Sequence, residues 1–294
     1  FLVKFCFKYK IDVIFSHLQF SNLIALLSQY FVFAKVMPCR HHSDDTFLGS
    51  NRNAKRIDAA INFLAKKIVV VSNAVRDHLV KYENVSFSKI QVIPLGYNFN
   101  MYHKTDLKLK EKVKREVEAE LVLILISRMN ENKRHIVAFR VLKELVDRNL
   151  DVKMIVLDTG PKEESLRSFT SINNLQNKVS FVGFVNDIMP YIEAADILIH
   201  PSVSEASNQV VKEAALAHVP SIVCDNVGDF NEYFIHKENG FIVNKEKPEN
   251  EMIDIVMKYY SDKGQLETIG KKMKLAVENK FEITRVVKEY LALV

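Results

Sequence analysis

The sequence is poor in cysteine. Its 294 residues include three cysteines, Cys6, Cys39 and Cys224, which lie far apart in the chain. An odd number of widely spaced cysteines predicts no disulfide framework, and none of them has the spacing of a zinc site. This pattern favours a reducing compartment, so we expect a cytoplasmic protein.

The sequence also lacks an apolar run long enough to span a membrane. Its apolar start, residues 1–15, is interrupted by Lys4, Lys8 and Lys10 and falls short of the ~18 residues that a span requires. We interpret this stretch as a helix followed by a strand. A two-domain α/β protein should not begin with an apolar helix and without a preceding strand or an initiator methionine. We therefore expect an N-terminally truncated piece that lacks the first strand and its glycine-rich loop.

The basic residues concentrate in the N-terminal part of the chain. Residues 1–105 contain 14 Lys and Arg against 6 Asp and Glu, a net charge of +8, whereas the whole chain carries +5. These cations are not interleaved with aromatic residues on one surface, so we expect no nucleic-acid partner. A predicted helix with Arg52, Lys55 and Arg56 has an ordinary solvated face or a face that contacts anionic lipid or an acidic acceptor.

Residues 195–240 are predicted to form a βαβ unit. Two apolar runs without alternation, 196–200 and 221–224, flank a short Ala- and Val-rich helix, which is the pattern of parallel strands covered on both faces. Glu205 and a helix start at Ser207 and Asn208 follow the first of these strands. Ligands of such sheets bind beyond the carboxyl ends of the strands, and a helix N-terminus there favours a phosphate.

A second polar group follows the apolar run 121–127. Arg128 and Lys133 come directly after this predicted strand, and a predicted helix begins at Lys133. Arg can grip phosphate oxygens through a planar fork, and Lys acts as a point charge. The pair therefore either binds a diphosphate or lies on an ordinary surface turn.

These stretches resemble the retaining glycosyltransferases of family 4. The resemblance rests on Glu205 and Glu213, with seven residues between them, on the flanks EAALAHVP and VGDFNE, and on further motifs along nearly the whole chain. Arg128 and Lys133 match the family pattern G-R-L-x-x-x-K, in which Ser127 replaces the glycine.

At three further positions another residue replaces a glycine of the family. Asp158 replaces the first glycine of G-D-G-P, Ala206 replaces the glycine of the donor loop, and Asp229 replaces the second glycine of G-G-x-x-E. The donor sugar of a relative is therefore not transferable to this chain.

The resemblance implies an α/β protein of the GT-B fold, with two facing Rossmann-like domains built on parallel sheets. An incomplete acceptor-side domain would cover residues 1–103, a connector 104–120 and a nucleotide-sugar-binding domain 121–280. A final helix over 281–294 would cross back to the first domain.

The resemblance also implies roles at a donor site. Arg128 and Lys133 would neutralise the diphosphate during catalysis, and Glu205 would bind sugar hydroxyls and stabilise positive charge at the ring. Glu213 would accept hydrogen bonds from the ribose, although the same residue could be a glutamate on a solvated helix face. The remaining donor-binding candidates are Gly183, Phe184 and Val185 beside the nucleobase, and Gly228 and Asp229 in a turn.

Three histidines are candidates on the acceptor side. The resemblance places His17 and His41 there and His42 near the reacting sugar carbon. From the residues alone, a structural role for His17 is equally plausible. The adjacent pair could also bind metal or start a helix, and metal is the least favoured of these because sequence neighbours rarely converge on one ion.

The resemblance implies transfer of a hexose from a UDP- or GDP-linked sugar to a saccharide or lipid-linked acceptor in surface polysaccharide or glycolipid assembly. The basic N-terminal half could contact the inner face of an anionic membrane. No metal or other cofactor is expected, in agreement with the absence of an Asp-x-Asp motif. Two alternatives stay open: another GT-B enzyme such as a nucleotide-sugar epimerase, and an inactive donor-binding relative that acts as a partner subunit.

Overall fold

The computed structural model of the chain describes residues 1–41, 52–102 and 105–294. These residues form two compact units. The first unit holds Phe1–Tyr97, Glu205–Ser207 and Ile283–Val294, and the second holds Asn98–Ser204 and Asn208–Glu282. The expected α/β class is confirmed, since both units contain a parallel sheet with helices.

The strands are β1 (Val13–His17), β2 (Lys35–Arg40), β3 (Ile68–Val70), β4 (Ile90–Val92), β5 (Leu121–Ile126), β6 (Val152–Leu157), β7 (Val179–Gly183), β8 (Ile197–His200), β9 (Ser221–Cys224) and β10 (Phe241–Val243). The helices are α1 (Leu2–Tyr9), α2 (Gln19–Ser28), α3 (Arg52–Leu64), α4 (Asn73–Tyr82), α5 (Leu107–Glu116), α6 (His135–Asp147), α7 (Glu163–Ile172), α8 (Met189–Ile192), α9 (Gln209–Leu216), α10 (Pro248–Tyr259), α11 (Lys263–Phe281) and α12 (Ile283–Leu291).

The first unit is built on a four-stranded parallel sheet with the order β1-β2-β3-β4. Strand β3 is entirely buried, because its β-branched run lies between strands on both sides and under helices. Ser72 caps α4 by accepting a 3.4 Å hydrogen bond from the N–H of Val75, which is where the sequence predicts a helix to open. The unit is therefore a parallel α/β layer in the described part of the chain.

The last helix, α12, packs on the first unit. Val286 is buried against Met37, Cys39 and Val69 of its sheet. The ring of Tyr290 meets that of Phe15 edge-on at 4.9 Å. The expectation that the C-terminal helix returns to the N-terminal part is confirmed. The sheet of the first unit is the partner of the helix's apolar face.

The second unit is built on a six-stranded parallel sheet with the order β10-β9-β8-β5-β6-β7. All six residues of β5, LVLILI, are buried, as a central parallel strand requires. The chain runs from β5 to β7 on one side and then from β8 to β10 on the other. The boundary between β5 and β8 is therefore the topological switch point, where sheets of this kind bind ligands.

The predicted connector, 104–120, contains α5, which belongs to the second unit. Asp106 caps this helix, and Lys110 forms a 2.7 Å ion pair with Glu193 of the same unit. Throughout the part of the chain that is described, no helix is both long and apolar enough to cross a membrane.

Candidate functional site

The loops after β5 and β8 lie side by side at the switch point of the second unit. The loop after β5 carries Arg128, whose side chain is exposed, and Lys133, which is half-buried. Lys133 does not open a helix as the sequence predicted. It ends a short 3-10 turn, Glu131–Lys133, which Asn130 caps by accepting a 3.2 Å hydrogen bond from the N–H of Lys133. The positive φ of the next residue separates this turn from α6.

Hydrogen bonds to the carbonyl of Asn132 join these neighbouring loops. The carbonyl of Asn132 accepts from the N–H of Val203 at 3.0 Å and from the hydroxyl of Ser202 at 3.3 Å. The loop after β8 is therefore attached to the loop that carries the two cations. This arrangement brings the end of the cationic loop close to the segment that leads into α9.

Helix α9 starts where the sequence predicted. Asn208 is its N-cap, and its Oδ1 accepts a 3.0 Å hydrogen bond from the N–H of Val211. The amide nitrogen of Asn208 lies 3.1 Å from Nε2 of the buried His200, the last residue of β8. The N-terminus of α9 is thus fixed to the carboxyl end of β8. A helix N-terminus favours negative charge, so this point is suited to an anionic ligand.

Glu213 lies inside α9 and is not on a solvated face. It is 7% exposed, and burial raises the pKa of its carboxyl group above the ordinary value. Gln209 donates a 2.8 Å hydrogen bond to one carboxylate oxygen, and the same amide nitrogen lies 3.3 Å from the hydroxyl of Tyr102. A carboxylate held in this way retains acceptor capacity for a ligand hydroxyl.

Glu205 belongs to the first unit, together with Ala206 and Ser207. Ala206 packs against the core of that unit, which includes Val71 and Val75. Arg128, Lys133 and Glu213 belong to the second unit. The two glutamates of the sequence signature therefore lie in different units.

The loops after β6 and β7 are connected by a backbone hydrogen bond. Asp158 adopts φ 81°, a region that favours glycine, and its N–H donates to the carbonyl of Gly183 at 2.7 Å. A Cβ atom at Gly160 would lie 2.5 Å from the carbonyl oxygen of Met129, so the loops after β5 and β6 approach as closely as glycine allows. Phe184 is 72% exposed.

A buried ion pair joins the turn after β9 to α9. The ammonium group of Lys212 lies 2.8 Å from Oδ2 of Asp229 and donates to the carbonyl of Asn208 at 3.0 Å. Both side chains of the pair are 1% exposed. The carboxylate that replaces the family's glycine therefore joins the turn to α9, while Gly228 beside it has φ 55°.

In the first unit the structure brings two of the predicted histidines together. His17, at the end of β1, and His41, just after β2, have ring nitrogens 2.8 Å apart and stacked rings. His42 lies outside the described residues. Among the described residues no group of three or more His, Cys, Asp or Glu could hold a metal ion, and metal independence stays a prediction.

Sequence reasoning missed two side chains at the sheet edge of the second unit, His135 and Arg134. His135 is buried, and its Nε2 lies 3.1 Å from the carbonyl of Ser127, a bond that fixes the ring beneath the cationic loop. Burial lowers the pKa of His135 to about 4. Arg134 contacts groups at or just beyond the carboxyl ends of three other strands. Only their positions next to Lys133 could have drawn attention to these two residues.

Comparisons with protein families match both parts of the chain. The family model described as Glycosyl transferases group 1 matches residues 108–275, and the model described as Glycosyltransferase Family 4 matches residues 1–100. The first of these matches covers more than half of the chain.

Two curated relatives illustrate the similarity. The chain is 22% identical over 97% of its length to an Escherichia coli protein named UDP-Gal:alpha-D-GlcNAc-diphosphoundecaprenol alpha-1,3-galactosyltransferase, and it covers 75% of that protein. It is 25% identical over 74% of its length to the Staphylococcus aureus capsular polysaccharide biosynthesis glycosyltransferase CapM. The chain spans only 58% of the length of CapM.

Solved structures with the same fold cover the whole chain. Anabaena HepE in complex with UDP superimposes with a TM-score of 0.86 at 19% identity, over 100% of this chain and 81% of HepE. Sucrose-phosphate synthase from Thermosynechococcus elongatus gives a TM-score of 0.83 at 17% identity, over 99% of this chain and 76% of the synthase. At these identities the likeness establishes the fold, which is the expected GT-B class. From the family match, the chain belongs to the glycosyl transferases group 1.

Proposed function

We propose that this protein is a retaining glycosyltransferase that moves a hexose from a UDP- or GDP-linked donor to a saccharide or lipid-linked acceptor. The observation that carries the proposal is the switch point of the second unit. There a loop with two cations is hydrogen-bonded to the loop that leads into a capped helix N-terminus. Cations beside a helix N-terminus suit a diphosphate leaving group, whose negative charge grows as the sugar departs.

We assign each candidate a role on chemical grounds. Arg128 and Lys133 neutralise the phosphates, and Glu213 accepts hydrogen bonds from the ribose hydroxyls. Glu205 binds sugar hydroxyls and stabilises positive charge at the anomeric carbon. These residues could act without a metal ion.

The names of similar proteins support the donor and acceptor classes. HepE was crystallised with UDP, and the Escherichia coli relative is named for UDP-galactose and a diphosphoundecaprenol acceptor. The relatives also support a place in polysaccharide assembly, as the name of CapM indicates. We propose the same classes of donor and acceptor for this chain, with the reaction on the cytoplasmic side of the membrane.

A thermal-shift titration with UDP, GDP, ADP and their sugar conjugates tests the donor site. A ligand that binds only the folded state raises the melting temperature by mass action. At a free ligand concentration of a hundred times the dissociation constant, the folded state is stabilised by about 2.7 kcal/mol. We expect one nucleotide to stabilise the parent chain and to have a much weaker effect on Arg128→Ala. If no nucleotide raises the melting temperature of the parent chain, the proposed donor site is wrong.

Product analysis then separates the enzyme classes. A glycosyltransferase needs the acceptor for turnover, whereas an epimerase converts the nucleotide sugar without one. Nucleotide binding with no turnover in the presence of lipid-linked and saccharide acceptors would favour an inactive donor-binding relative. The backbone of Asp158, held in a conformation that favours glycine, is the departure that most supports that alternative.

We also propose that the first unit contacts an anionic membrane surface. Lys4, Lys8 and Lys10 are exposed beside large exposed aromatic side chains, and Phe7 and Phe33 line one groove of about 230 Å³. Aromatic rings and lysines together suit the interface between headgroups and acyl chains. This surface is formed by α1 and the residues after α2, and not by the basic helix α3 that the sequence first indicated.

Vesicle sedimentation measures this contact. The parent chain should sediment with vesicles that contain phosphatidylglycerol and much less with pure phosphatidylcholine, and salt should weaken the binding. The triple variant Lys4→Glu, Lys8→Glu, Lys10→Glu should lose the difference between the two vesicles. Equal sedimentation of the parent chain and the variant would contradict a role for these lysines.

A further inference from the structure

Arg134 occupies a backbone conformation that ordinarily favours glycine. Its φ is 47°, and it lies between the cationic loop and α6, where its side chain makes no capping hydrogen bond to the helix. An arginine in the left-handed region requires stabilisation from its surroundings. The hydrogen bonds of its side chain explain why an arginine, and not a glycine, occupies this position.

The guanidinium group of Arg134 binds groups at or just beyond the carboxyl ends of three different strands. Nε donates to the carbonyl of Pro201 at 2.7 Å, just after β8. Nη1 donates to the carbonyl of Lys245 at 2.8 Å, beyond β10, and Nη2 donates to the sulfur of Cys224 at 3.2 Å, at the end of β9. All three acceptors belong to the second unit.

These acceptors lie at the bases of the loops that carry the candidate donor residues. Pro201 begins the segment that leads to Glu205 and Asn208, and Cys224 precedes the turn that contains Gly228. Lys245 is in turn bound to this turn, because its N–H donates a 2.7 Å hydrogen bond to Oδ1 of Asp225. The planar fork of one arginine can satisfy three separated acceptors, whereas the single nitrogen of a lysine cannot.

We propose that Arg134 is a positioning residue of the donor site. It fixes the loops after β8 and β9 relative to the cationic loop and does not itself contact the donor. The expected effect of Arg134 on donor binding rests on the proposed function. Its effect on the loops is independent of any ligand.

Arg134→Gly is the primary test, since glycine adopts the observed φ without strain and removes all three hydrogen bonds. We expect amide hydrogen exchange at Val203, whose N–H bonds to Asn132, to accelerate in the ligand-free protein. We expect nucleotide binding to weaken by about tenfold, in line with the loss of one or two net hydrogen bonds. The melting temperature should fall only modestly, because relief of the strain at the positive φ offsets part of the loss of the hydrogen bonds.

Three further variants make the test specific. Arg134→Asn keeps a residue that tolerates a positive φ and serves if the glycine variant folds poorly. Arg134→Lys keeps the charge and should not restore slow exchange. Arg140→Ala, at an exposed position in the following helix α6, removes an arginine and should leave both exchange at Val203 and nucleotide binding unchanged.

The outcomes separate the two proposals. If the parent chain binds no nucleotide, the proposed function fails, and hydrogen exchange still tests Arg134. The inference about Arg134 is overturned if Arg134→Gly keeps both exchange and nucleotide affinity at the level of the parent chain, or if Arg134→Lys restores both. Unfolding of the second unit in both Arg134→Gly and Arg134→Asn would show a role in folding and would also overturn it.

Discussion

The side-chain amide of Gln209 donates a 2.8 Å hydrogen bond to a carboxylate oxygen of Glu213, one helical turn later. Burial nevertheless raises the pKa of Glu213 above its ordinary value of 4.5, because desolvation outweighs this bond. The folded protein therefore holds the proton of Glu213 more tightly than the unfolded chain does. Ionisation of this group lowers stability as the pH rises above 4.5.

Glu213→Gln should accordingly stabilise the folded protein at neutral pH and weaken nucleotide binding. The variant cannot ionise, so its gain in the free energy of unfolding should be larger at pH 7 than near pH 4.5. Urea unfolding at the two pH values measures the gain, and a nucleotide titration at pH 7 measures the loss of binding. A gain that is the same at both pH values would contradict the raised pKa.

The buried imidazole of His135 should make the protein sensitive to mild acid. Burial lowers its pKa from 6.5 to about 4, so the unfolded chain binds a proton more readily than the folded protein in this range. The stabilisation is fully present above pH 6.5 and is lost as the pH falls toward 4, by about 3 kcal/mol in total.

Urea unfolding between pH 7 and pH 4.5 measures this loss. His135→Gln retains an N–H donor for the carbonyl of Ser127 and does not titrate, so its unfolding free energy should fall less steeply over the same range. Parallel curves for the parent chain and the variant would show that His135 is not the titrating group.

The buried ion pair of Lys212 and Asp229 should give strongly non-additive mutants. Asp229→Asn leaves a buried ammonium without its counter-ion and should destabilise the protein by about 3 to 5 kcal/mol. Lys212→Met should have a similar effect by leaving the carboxylate. The double variant should be more stable than either single variant, because it removes both buried charges.

A double-mutant cycle of unfolding free energies measures the coupling between these two residues. Lys271→Met with Glu267→Gln provides a matched exposed pair, for which only weak coupling is expected. Additive effects at Lys212 and Asp229 would mean that the pair does not hold the turn to α9.

Gly160→Ala should disturb the cationic loop. The new Cβ would lie 2.5 Å from the carbonyl oxygen of Met129, so the loops after β5 and β6 must separate. We expect a loss of stability of about 1 to 3 kcal/mol and weaker nucleotide binding. The backbone atoms on both sides leave little room for local relaxation.

Gly264→Ala is the control for this substitution. Its Cβ would meet only a side-chain oxygen of Asp262 at 3.8 Å, an ordinary contact in the first turn of α11. The control should be neutral or stabilising by up to about 1 kcal/mol, because alanine is the better helix former. Thermal unfolding and nucleotide titration of both variants measure the difference, and a neutral Gly160→Ala would contradict the close approach of the two loops.

The local sequence pattern determined where strands and helices form and that Arg128 and Lys133 follow a strand. The runs LVLILI and ILIH predict buried parallel strands because they lack alternation, and both are central strands of the second sheet. Asn208 predicts a helix start because its short side chain caps exposed N–H groups. Arg128 and Lys133 follow a strand directly, so sequence alone put them at its carboxyl end.

Contacts between distant segments were decided only by the tertiary structure. Arg134 reaches carbonyls 67 and 111 positions away, and Lys212 meets an aspartate 17 positions later. No local periodicity predicts these partners, since they depend on the order of the strands and on the direction in which each side chain leaves its element. The assignment of Glu205–Ser207 to the first unit is a tertiary result of the same kind. Local sequence could therefore indicate which residues follow a strand, whereas the order of strands determines which of them meet.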